Sequence, residues 1–174
     1  MKKGQLLSQP FIYIFALILG ALILIYGGKW VYDILVLSDK VEVAKFTDNL
    51  ESIVSEYSNY DTGASNLIPV KLPKSVKYAC VFDPGKDIKC KIKDKMNKIR
   101  EISCDAIDKT LEFELKTQKK NSNPYTLFFY PKTKIKQVWR HKLPDIKPVN
   151  GNPLCYMQGS KIMITSQSGY VTAE

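Results

Sequence analysis

Four cysteines, Cys80, Cys90, Cys104 and Cys155, are the residues best suited to covalent chemistry in this 174-residue chain. Their spacings are 10, 14 and 51 residues. Structural zinc sites favour C-x₂₋₄-C pairs, so the spacing speaks for disulfides over a metal. An even count suits two bridges in an oxidising compartment. Three pairings are open. The preferred one is Cys80–Cys90, a short loop around Asp83-Pro84-Gly85, with Cys104–Cys155 closing a longer loop.

Other chemistry is sparse. His141 is the only histidine and lies between Arg140 and Lys142. No G-x-S-x-G, Walker A, G-x-G-x-x-G or H-E-x-x-H pattern occurs. Asp105 and Asp108 are close in sequence, as are Glu112 and Glu114. On an alternating strand the two glutamates would face solvent. No catalytic set, cofactor or metal is expected, and the chain reads as non-enzymatic. The densest basic run spans residues 86–100, with Lys86, Lys89, Lys91, Lys93, Lys95, Lys98 and Arg100 against two aspartates. It could grip an anionic polymer, but it lacks interleaved aromatics. A solvated edge that discourages strand aggregation is the plainer reading.

The elements that would position these residues begin with an uncharged run, Phe11 to Tyr26. With Pro10, Gly27 and Gly28 it makes 19 residues, about 28 Å of helix at about 1.5 Å per residue. That matches the roughly 30 Å hydrocarbon core of a bilayer. Phe11 and Tyr13 mark one end, and Tyr26, Trp30 and Tyr32 the other, as aromatic belts do. Ser8 can cap the helix, and Pro10 fits its first turn. A cleaved secretory signal is the alternative. The apolar stretch is longer than a usual signal core, and no A-x-A-like site follows it.

Only Lys2 and Lys3 precede the span, which favours a cytoplasmic N-terminus. All 17 acidic residues lie at or beyond Asp33, and the remaining 24 basic residues leave that part at +7. Such a surface favours anionic partners such as lipid headgroups or glycans. Export argues against nucleic acid. The expected organisation is a basic leader (1–9), a transmembrane helix and interface (10–37), an amphipathic continuation (38–62) and a β-rich extracytoplasmic domain (63–174). Val43, Phe46, Leu50, Ile53 and Tyr57 carry the helical stripe.

Beyond residue 63, strands are expected at 76–82, 88–92, 110–116, 125–130 and 134–139. Residues 93–104 are ambiguous between strand and short helix, and 144–153 read as loop. A terminal hairpin is expected between 155–157 and 161–166, across Gln158-Gly159-Ser160. The fold class is α+β, one long helix packed on a mainly antiparallel sheet.

The leader Lys3-Gly4-Gln5, directly before an apolar helix, resembles the class III signal of archaeal type IV pilin-like proteins. The resemblance implies cleavage between Gly4 and Gln5, a membrane stem, a β-rich head and self-association through the N-terminal helix. Ala16 and Gly20 form one small-xxx-small pair there. Ser8 matches the family's Q-x-x-S start. Gln9 stands where the family often has glutamate. The segments 9–17, 122–131 and 154–165 are also similar to a set of small archaeal single-pass membrane proteins without an assigned activity.

Overall fold

The computed structural model describes residues 8–132, 135, 138–143 and 145–174. The leader with its Gly4–Gln5 junction lies outside them. The chain divides into two compact units, one ending at Ser38 and one running from Asp39 to Glu174.

Helix α1 runs from Ser8 to Tyr57. No proline interrupts it after its first turn. In the first unit its apolar side chains are exposed all round, Leu24 at 78% and Phe11 at 70% among them. It is the one helix among the described residues long and apolar enough to cross a membrane. In the second unit only one stripe is apolar. Val43, Phe46, Leu50 and Val54 are buried, while Ile53 and Tyr57 pack at its margin. Thr47 also faces inward, its hydroxyl donating to the Val43 carbonyl at 2.9 Å. At the helix end, Asn59 Nδ2 donates to the Ser55 carbonyl, and Gly63 turns the chain at φ +99°.

Among the described residues the second unit has two sheets. The strands are β1 (Ser65–Pro69), β2 (Tyr78–Val81), β3 (Lys91–Lys93), β4 (Ile99–Glu101), β5 (Leu127–Tyr130), β6 (Arg140–His141), β7 (Ile146–Pro148), β8 (Leu154–Met157), β9 (Lys161–Gln167) and β10 (Tyr170–Ala173). One sheet has the order β1-β9-β10-β7, the other β4-β3-β8-β2-β5-β6. Most pairs are antiparallel, but β3–β8 and β7–β10 are parallel. The class is therefore α+β with mixed sheets.

The larger sheet is buried on both faces at its centre. Ala79, Val81, Leu127, Phe129, Leu154 and Tyr156 point into one core. That core is shared with α1 and with Ile162, Ile164 and Val171 of the smaller sheet. The alternate residues Cys80, Phe82, Phe128, Tyr130 and Cys155 form a second core. It is covered by helix α2 (Leu111–Lys119) through Leu111 and Leu115. This is the period of two of a strand applied to two hydrophobic faces.

Several expected elements are corrected. Residues 110–116 form no strand: Leu111 and Leu115 are one helical turn apart and buried, while Phe113 is 75% exposed. Residues 93–104, ambiguous in sequence, contain β4, and a single 3₁₀ turn begins at Cys104. Of 134–139, the described Ile135, Val138 and Trp139 are not in a strand, and the loop expected at 144–153 contains β7. The terminal hairpin does not form. Gly159, at φ +85°, sends the chain from the larger sheet into the smaller, where β9 pairs with β1 and β10.

Candidate functional site

The cysteines join as Cys80–Cys155 and Cys90–Cys104, not as Cys80–Cys90 and Cys104–Cys155. The sheet order supplies the reason. A hairpin of β2 and β3 would bring Cys80 beside Cys90, but β8 inserts between those strands. Cys155 on β8 is the register partner of Cys80, with Cα atoms 3.9 Å apart. Cys90 is left to reach Cys104 beside the Ile102 N–H···O=C Cys90 bond. All four residues are buried and none is a free thiol. Among the described residues no group of His, Cys, Asp and Glu is arranged to hold a metal.

The basic run at 86–100 has members in different settings. Lys86, Lys89 and Lys91 line an open recess of about 410 Å³ with Asn150, Gly151 and Asn152. Asn152 builds its floor: Oδ1 accepts the Asp83 N–H at 2.8 Å, and Nδ2 donates to the Asp83 and Lys86 carbonyls. A side chain at Gly151 would stand 2.8 Å from the Lys91 Cβ, so only glycine lets β3 pass. Lys86 Nζ donates to the Pro148 carbonyl. Lys93 is buried, a correction to its place in the exposed run. Its ammonium donates to the Glu174 carbonyl at 2.9 Å, and burial lowers its pKa against the opposing pull of Glu174. Lys95 and Lys98 are exposed on the turn into β4, and Arg100 lies 3.1 Å from Asp94. Backbone N–H donation from Lys98 and Met96 holds the Asp94 pKa below the usual carboxylate value. The outer edge of the sheet, β4, is exposed at all three residues.

A better-built cationic surface lies at the opposite edge, where sequence reasoning saw only a lone histidine between two bases. Among the described residues, strand β6 pairs with β5 alone, at the edge of the sheet. The Thr126 hydroxyl bonds both the carbonyl and the N–H of Leu143 and fixes the strand's exit. Trp139 packs edge-on to Tyr130 and tilts against Phe128. The Arg140 guanidinium carbon sits 4.4 Å from the Tyr125 ring centroid and 5.1 Å from that of Trp139. Lys142 Nζ is 5.4 Å from the Tyr125 ring. A recess of about 280 Å³ is lined by both Lys142 and Lys147, and the Lys147 Nζ is 4.1 Å from the Tyr170 ring. Each such contact contributes about 0.5–1 kcal/mol at an exposed site and fixes the cation's position. Among the described residues, Arg140, Lys142 and Lys147 have no carboxylate within ion-pair distance. His141 is half-buried on β6, its carbonyl accepting the Thr126 N–H.

Beside this strip, Glu114 of α2 accepts the Tyr130 hydroxyl at 2.8 Å and pairs with Lys132, so it does not face solvent as a strand residue would. Lys132 also donates to the Thr110 hydroxyl and lies 5.1 Å from the Trp139 ring. Burial, then the Glu114 charge, raises the Tyr130 pKa. The phenol therefore stays a proton donor, and Lys132 is already neutralised. The arrangement clamps α2 to the sheet. Glu112, expected beside Glu114, instead pairs with Lys116 one helical turn away. Asp105 lies in the 3₁₀ turn, and Asp108 accepts the Thr110 N–H and hydroxyl.

No protein-family model, curated protein or solved structure matches this chain.

Proposed function

We propose that this chain is a non-enzymatic, pilin-like surface or envelope protein, a single-pass stem carrying an extracytoplasmic head. The observation that carries this reading is the change of character along α1. Its first part exposes apolar side chains on every face, and its last part buries a single stripe in the folded unit. A helix apolar all round is stable in hydrocarbon and costly in water. Two buried disulfides suit a head in an oxidising compartment, with the N-terminus in the cytoplasm. Self-association would run through the stem, where Tyr13, Ala16, Leu17 and Gly20 line a shallow apolar groove. No nucleic acid, metal or cofactor enters this reading.

N-terminal sequencing of protein purified from native membranes tests the processing step. A mature chain starting at Gln5 is the expected result, and a chain retaining Met1 contradicts pilin-type processing.

A second reading is a membrane-tethered binding module whose basic face contacts an anionic lipid or glycan. The observation favouring it is the row of ring-supported cations Arg140, Lys142 and Lys147, none with a carboxylate partner among the described residues.

A further inference from the structure

We infer that the strip formed by Tyr125, Trp139, Arg140 and Lys142, continued by Lys147 and Tyr170, is a binding track for a linear acidic polysaccharide of the polyuronate type. This rests on the binding-module reading and names its surface and its partner.

Three features favour an extended chain over a small anion. The cations are spread over both sheets, on and beside β6 and on β7. The recess that Lys142 and Lys147 both line, with Asn123, Pro124 and Thr126 among others, joins the two cations across one continuous space. The carboxylate in that lining, Asp83, turns Oδ1 back to the Gly85 N–H at 2.9 Å. A strand of repeating negative charge would therefore meet positive groups in succession.

The chemistry of the strip favours a carboxylated sugar. Arg140 is held between two rings, which orients its planar fork without consuming its N–H donors. Such a fork matches a carboxylate in a bidentate pair. Tyr125, Trp139 and Tyr170 are half-exposed, so part of each amphipathic ring borders the track. A lipid surface fits less well. The Trp139 ring is packed back onto the protein, against Phe128 and Tyr130, and does not project as an interfacial anchor. Nucleic acid is disfavoured by the oxidising compartment that the disulfides imply.

The test uses the full chain in detergent micelles and immobilised polygalacturonate at low ionic strength. Saturable binding that weakens with added salt is expected. The pair Arg140→Ala with Lys142→Ala should weaken binding about tenfold or more, while Lys95→Ala with Lys98→Ala, removing the same charge from the exposed turn before β4, should stay within about twofold. Arg140→Lys, which keeps the charge and loses the fork, should fall between wild type and the first pair. Thermal melting and mobility on non-reducing gels establish that each variant is folded. No binding by wild type, or equal loss in the two double variants, overturns the track. Equal or tighter capture of single-stranded DNA or of anionic vesicles overturns the glycan assignment. A cytoplasmic head would overturn the proposed location and leave this binding unchanged, so the two failures are separable.

Discussion

Cys80 and Cys155 are opposed across adjacent antiparallel strands, register partners with Cα atoms 3.9 Å apart and their sulfurs bonded. The bond closes a loop with a sequence separation of 75 residues, whereas Cys90–Cys104 closes one of 14. The longer loop removes more entropy from the unfolded chain, by chain-closure arithmetic roughly 4 kcal/mol against roughly 3. Replacing Cys80 and Cys155 by alanine should therefore lower stability more than replacing Cys90 and Cys104, as read by denaturant melts. Peptide mapping without reductant should recover the 80–155 and 90–104 pairs. Recovery of 80–90 and 104–155 would reject the sheet order.

Gly151 is required by close approach, not by its backbone angle. The Lys91 Cβ occupies the space that a side chain would need. Gly151→Ala should cost about 1–3 kcal/mol, because the obstruction is the root of the lysine and not its flexible tip. Gly169→Ala is strained for a different reason, its φ of +83°, with open space around it. Pairing Gly151→Ala with Lys91→Gly should recover part of the first loss and none of the second, as measured by thermal melting.

Two buried phenols make the fold sensitive to alkali. Burial, then the Glu114 charge, raises the Tyr130 pKa, and burial, then Glu174, raises that of Tyr156. Both stay protonated in the fold at pH values where the unfolded chain ionises. Their stabilising effect is full below the ordinary tyrosine value and is lost as the pH rises above it. The expected slope is about 1.4 kcal/mol per pH unit for each phenol. Tyr156→Phe should remove its own share of that slope, about 1.4 kcal/mol per pH unit. It should also leave neutral-pH stability unchanged or higher, because its hydroxyl has no hydrogen-bond partner among the described residues. Tyr130→Phe should likewise remove its own share, but cost about 1 kcal/mol at neutral pH through the lost bond to Glu114. Alkaline denaturation curves of the two variants check both claims.

The long helix was legible because its pattern is local: an uncharged run, then steps of three and four to Val43, Phe46 and Leu50. The central strands β2 and β5 were legible as short apolar runs. Helix α2 was not, because Leu111, Phe113 and Leu115 satisfy a period of two as well as Leu111, Leu115 and buried Gln118 satisfy the helical one. The pair Glu112–Lys116 and the basic last turn were the available signals for helix. Sheet order was beyond reach, since nothing in sequence tells β8 to insert between β2 and β3, and the disulfide preference failed with it. The cation–aromatic strip was invisible for the same reason. It gathers residues from 125, from 139–142, from 147 and from 170, whereas the basic run that stood out is continuous in sequence; within it Lys93 turns inward and Arg100 pairs with Asp94.

The central claim, a membrane stem with an extracytoplasmic head, is tested most directly by protease accessibility in intact cells of a full chain tagged at its C-terminus. The account predicts that the protein sediments with membranes, resists carbonate extraction and loses its tag to added protease before lysis. A tag cleaved only after lysis, or a protein recovered in the soluble fraction, would contradict it.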